Sequence, residues 1–143
     1  MAYAAETSVP VVKSRLDIEG LLQRNGATQY LTAHDHEAGR AIVQFKLAER
    51  LVRFTVTIPP MTDGRRRRGR SPADRQAQVE RQRWRALWLI LKAKLESLES
   101  GIETFEQSFL AHVVLDNDRT IGEILIPRLQ AGRLALPPAA EDP

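Results

Sequence analysis

The 143-residue chain holds no cysteine, 43% hydrophobic and 27% charged positions, and 21 Lys+Arg against 18 Asp+Glu. That length makes one domain with enough apolar residues for a core, and the absence of thiols excludes a disulfide scaffold, a thiol nucleophile and any zinc site with sulfur ligands. Residues 1–13 show no apolar run behind a basic start. The most apolar stretch, 84–95, is broken by Arg85, Lys92 and Lys94 and is too short for a bilayer, so a soluble intracellular protein without membrane contact is expected.

The elements follow in chain order. Residues 1–13 read as an N-terminal flexible arm or, around Val9, Pro10, Val11 and Val12, an edge strand. Ser14 and Asp17 form a capping box. Leu16, Ile18, Leu21 and Leu22 supply an apolar stripe and Asn25-Gly26 a left-handed stop, which predicts a helix over 15–24. Strands are predicted over 27–34, 40–47 and 50–58. In the second, Ala41, Val43, Phe45 and Leu47 share a face, and in the third so do Val52, Phe54, Val56 and Ile58. Period-2 alternation with short polar turns marks an antiparallel meander covered on one side, and Pro59-Pro60 ends it.

Residues 59–71 form a basic loop whose adjacent like charges repel, so it is expected to be mobile. Ser71, Pro72 and Asp74 then open a long helix that Ser100-Gly101 closes. Trp84, Leu87, Trp88, Leu91, Leu95 and Leu98 make one broad apolar face, and Val79, Ala86, Leu89, Ile90 and Ala93 fall opposite. That pattern predicts a spine buried between two layers, with its polar start projecting into solvent. Beyond it come a short helix capped by Thr104 and Gln107, a strand over 111–115, and a helix from Thr120 that Pro127 interrupts. The expected class is α+β: a three-stranded antiparallel meander packed on a long central helix, with a C-terminal helix–strand–helix unit. One domain over 14–135 is expected, with a disordered tail at 136–143.

Charge is segregated. Between residues 64 and 86, nine arginines face Asp74 and Glu80, whereas between 96 and 123 seven acids face Arg119. The basic stretch suits phosphates, through guanidinium contacts and counterion release beside a helix N-terminus. Arg65, Arg66, Arg67, Arg68 and Arg70 are the candidate clamp, and Arg75, Arg81 and Arg85 would continue it along the helix. The alternatives are a solvated linker or pairing with the acidic segment of the same chain.

Other constellations are weighed against plainer readings. Trp84 and Trp88 lie on the broad apolar face, where core packing outweighs base stacking. His34 and His36, with Asp35 and Glu37 on one turn, are weak candidates for a divalent metal. Glu96, Glu99, Glu103 and Glu106 read as a solvated face rather than acid–base machinery. Serine-nucleophile, phosphate-loop and dinucleotide fingerprints are absent, and no cofactor is implied.

Three resemblances follow from these residues. Gln44-Phe45-Lys46 on a strand after Asp35 resembles the acid-plus-lysine layout of restriction-endonuclease-like nucleases, with Gln44 in place of the usual acid. The order helix, meander, helix over 15–99 resembles the double-stranded-RNA-binding domain in topology, with Gly69-Arg70-Ser71-Pro72 and Arg75 as loose analogues of its basic signal. Gly26-Ala27-Thr28, Val43-Gln44-Phe45, Arg50-Leu51-Val52-Arg53-Phe54, Arg83-Trp84-Arg85-Ala86-Leu87 and Gly101-Ile102-Glu103-Thr104-Phe105-Glu106 resemble small proteins of bacteriophages and prophages. That similarity implies a bacterial cytoplasmic setting and no particular activity. The expectation is a non-enzymatic, phage-type nucleic-acid-binding accessory protein. The alternatives are a protein-interaction module that modulates a host or phage enzyme, with a homodimer possible through the two-sided spine, and a metal-dependent nuclease.

Overall fold

A computed structural model describes residues 4–59 and 71–132. The expectations of a mobile basic loop and a disordered tail concern segments that, but for Pro59 and Ser71, lie outside those residues.

The first helix, α1 (Val11–Arg24), begins four residues earlier than the capping signal suggests. Pro10, with φ −60°, sits at its N-cap and its carbonyl accepts from the Ser14 amide at 3.1 Å. Ser14 is thus a fully buried residue inside the helix rather than its cap. The correction has a packing cause: Val11 joins Ile18, Leu21 and Leu22 on the stripe that meets the core, and that periodicity overrides the strand preference of Val11-Val12. Residues 4–9 are no free arm either. Gln78 donates through Nε2 to the carbonyls of Ala5 and Thr7, at 3.2 and 3.0 Å, and Ala4 is buried.

Strands β1 (Gln29–Asp35), β2 (Arg40–Leu47) and β3 (Arg50–Thr57) form one antiparallel sheet in the order β1-β2-β3. The register aligns Tyr30, Phe45 and Val52, then Thr32, Val43 and Phe54, then His34, Ala41 and Val56. These rows share the inner face, as alternation requires. The β2–β3 hairpin turns on Ala48 and Glu49, both left-handed at φ 51° and 61°, the backbone that matches strand twist but that Gly or Asn adopts more cheaply.

Helix α2 (Pro72–Glu99) opens with the expected capping box, Ser71 and Asp74 each serving the other's amide. It packs on the inner face through Trp84, Leu87, Leu91 and Leu95, spaced to lie on one side. The opposite side is not buried under a second layer as the sequence pattern suggests: Ile90 is 47% exposed and Ala93 is exposed. The C-terminal unit lies elsewhere. Helix α3 (Phe105–Phe109) seats Phe109 edge-on against Phe45 and Phe54, with centroids 5.9 and 6.2 Å away. After a 3-10 turn at Leu110–His112, Val113 bridges Val52 and the Val114 amide donates to the Leu51 carbonyl at 2.8 Å. In place of the expected strand over 111–115 stand two isolated bridges, Val113 to Val52 on β3 and Val114 to Thr120. Helix α4 (Ile121–Gln130) keeps its turns past Pro127 and stacks on the 3-10 turn, where Gly122 lies so close to the Ala111 carbonyl that a Cβ would sit 2.8 Å from it.

Two outcomes test this packing. Replacing Ala48-Glu49 by Asn-Gly should raise the stability measured by urea unfolding by about 1 kcal/mol, because both residues gain access to the left-handed region. Phe109→Ala should lower it by about 3–5 kcal/mol, since it empties the junction of sheet and C-terminal unit.

Candidate functional site

The cluster of greatest chemical density stands where the β1–β2 turn meets the first turns of α2. A cleft of about 530 Å³ opens there, lined on the sheet side by His34, His36 and Ile58 and on the helix side by Pro72, Ala73 and Glu80. Its organising contact is internal. The Trp84 indole, wholly buried, donates through Nε1 to Nδ1 of His34 at 3.3 Å. An indole N–H can only donate, so Nδ1 must be the acceptor nitrogen and the His34 proton sits on Nε2. That nitrogen lies 4.0 Å from a carboxylate oxygen of Glu80, and Nδ1 of His36 lies 3.8 Å from the same oxygen. The two imidazoles are stacked, centroids 3.9 Å apart and planes 15° from parallel. The His34 side chain is 7% exposed and that of His36 is 73% exposed.

The weak metal candidates, His34 and His36, are thus gathered with Glu80, one donor atom from each lying within 4.8 Å of the others. The arrangement does not fit an ion held by both rings. A metal bonds imidazole nitrogen along its in-plane lone pair, and near-parallel rings 3.9 Å apart have no nearby point in both planes. The proton on His34 Nε2 closes that nitrogen as well. The nuclease layout is not assembled either. Asp35 pairs with Arg40 at one end of the β1–β2 ladder and Lys46 with Glu49 at the other, about 20 Å away at strand rise.

The basic candidates divide. Arg65, Arg66, Arg67, Arg68 and Arg70 lie outside the described residues. Arg75 is half-buried, and its Nε has no hydrogen-bond partner. Arg81 donates to Gln78 at 2.6 Å. Arg85 donates to Asp17 on α1 at 2.9 Å and lies over the Trp88 ring at 3.9 Å. With its side chain 15% exposed, Arg85 cross-links two helices. Lys13, first, and Arg85 beside it hold the Asp17 carboxyl below its ordinary value. Among the described residues, two acids of the C-terminal third pair with β3: Glu106 meets Arg50 at 2.9 Å and Asp118 meets Arg53 at 2.6 Å.

Sequence reasoning missed Glu80 and Gln78. The signal for Glu80 was there, since it precedes Trp84 by one helical turn and shares its side of α2. What it faces depends on the sheet. His112 was also passed over: it stacks on Phe54, centroids 3.8 Å apart.

No family model, curated protein or solved structure matches this chain. The helix–meander–helix order shared with double-stranded-RNA-binding domains therefore carries no more than the topology itself.

Burial pushes the pKa of His34 down, with His36 adding to the effect, and burial likewise lowers that of His112, with Lys94 adding. A depressed histidine costs stability once the unfolded chain takes up a proton that the folded one refuses. The contribution is complete above the ordinary value of 6.5 and is lost as pH falls from there through the folded values. The urea midpoint should therefore be level above pH 7 and fall below about 6.5, before carboxylates titrate. A double variant, His34→Gln and His112→Phe, should flatten that fall. A wild-type midpoint constant down to pH 5 would refute the assignment.

Proposed function

We propose that the chain binds nucleic acid through phosphates at the pole where α2 begins. The observation that carries this reading is the placement of Ile58 and Pro72, described residues flanking the arginine-rich segment, on the walls of one cleft. Arg65, Arg66, Arg67, Arg68 and Arg70 lie between these two residues in the sequence, just ahead of a helix whose free amides and dipole also favour anions. The acids Glu96 and Glu99 stand at the other end of α2, about 40 Å away at helical rise. Self-neutralisation by those residues is disfavoured by that length, and among the described residues Glu106 and Asp118 beyond them pair with Arg50 and Arg53. Binding is non-enzymatic on this reading, and the bacterial or phage cytoplasm is the setting that the sequence resemblance implies.

A second reading has its own observation. Helix α4 carries Ile121, Ile124, Leu125, Ile126 and Leu129, yet only Gly122 of the helix is buried, and Ile126 and Leu129 are 47% and 60% exposed. An apolar helix so little covered suits a protein partner. A partner captured after nuclease treatment, and lost on Ile126→Glu, would favour that reading.

Filter binding across about 50 to 200 mM salt tests the first. Phosphate neutralisation gives a slope of log K on log salt near −0.9 per contact. Replacing Arg65, Arg66, Arg67 and Arg68 by serine should make the slope shallower by about 3 to 4. Absence of any retention at low salt would sink the proposal.

A further inference from the structure

We propose that the cleft beside α2 receives one unpaired nucleobase, stacked on the open face of His36 with its amino edge toward Glu80, which makes single strands the preferred substrate. The inference rests on the phosphate-binding reading and adds the base-recognition half of the same site.

His36 has the properties of a stacking platform. One face of its ring is covered by His34, and the ring borders the cleft while remaining 73% exposed. Its support is rigid, because the ring beneath is buried and held by Trp84. A flat group fixed before binding loses little freedom when a base lands on it, and aromatic side chains, histidine among them, are the usual seats of splayed-out bases. The cleft, at about 530 Å³, falls within the roughly 300–1,000 Å³ of small-molecule sites. Its apolar walls, including Ile58 and Pro72, suit the faces and rim of a base.

Glu80 gives the site a direction. A carboxylate only accepts hydrogen bonds, and this one stands within 4 Å of both imidazoles at the cleft wall, 22% exposed. Adenine, cytosine and guanine carry exocyclic amino donors that suit it, whereas thymine and uracil offer a single N3–H flanked by two carbonyl oxygens, a poorer match for a carboxylate. Bases inside a duplex are already stacked and paired, and cannot enter without flipping. The negative charge of Glu80 also opposes a phosphate in the cleft itself, which reserves the cleft for the base.

The test uses the full chain with labelled oligoadenylate as DNA and as RNA, oligothymidylate, and the duplex of the two DNA strands, each titrated at several salt concentrations. Wild-type protein should hold oligoadenylate more tightly than oligothymidylate or duplex; the DNA and RNA arms show which backbone is preferred. His36→Ala should weaken the oligoadenylate complex by about 5- to 100-fold, the range that loss of one stacked base carries. It should leave duplex affinity and the salt slope unchanged. His36→Tyr should restore most of the loss, and Glu80→Gln should narrow the preference for adenine over thymine. Salt-sensitive binding in which His36→Ala matches wild type on single strands would overturn the base seat and leave the phosphate reading standing. No salt-sensitive binding to any probe would overturn both.

Discussion

The hydrogen bond from Trp84 to His34 is the constraint on which the rest of this molecule turns. Trp84 fills the centre of the contact between α2 and the sheet and is wholly buried. An indole N–H so placed must find an acceptor or cost about 1–3 kcal/mol. The partner it finds is a ring nitrogen on β1. That single bond aligns the helix with the end of the β1–β2 ladder and sets the tautomer of His34. It also provides the flat surface on which His36 rests. Arg15 of α1 lies 5.3 Å from the Trp84 ring centroid and donates to the Thr32 carbonyl at 2.8 Å, so the same tryptophan joins three elements.

A consequence is that the chemistry of the cleft is built on core packing. A second aromatic cluster lies elsewhere in the fold: Phe109 meets Phe45 and Phe54 edge to face, while Phe45 and Phe54 lie near-parallel. At the other end of the sheet the core reaches the surface through imidazoles. His34 is held neutral by burial, and Glu80 is shared between it and His36. Such sites are sensitive to core substitutions that appear remote from them, because a shift of the indole moves the platform.

The charge distribution has a similar two-part logic. Ion pairs formed by Arg85 with Asp17, Arg50 with Glu106 and Arg53 with Asp118 tie elements together, and the Arg85 and Arg53 side chains are largely covered in them. In the sequence the nine arginines between residues 64 and 86 stand apart from the seven acids between 96 and 123. A net charge of only +3 therefore hides a strongly polar molecule.

The sequence by itself determined the meander, the long helix with its Ser71–Asp74 cap, and the helix starts at Thr104 and Thr120, because these depend on periodicity and on contacts within one turn. It misplaced the start of α1, since Val11 belongs to the helix only once α1 has a core to face. The two-sided apolar pattern of α2 implies burial on both sides, and only three-dimensional packing shows Ile90 facing outward. The cleft was the least legible feature. Histidines at 34 and 36 share a face in any strand, but Glu80 and Trp84 are more than forty residues away, and the pairing of a helix face with a strand end is a long-range choice. No local signal encodes which acceptor a buried indole will find; that is decided when the layers close.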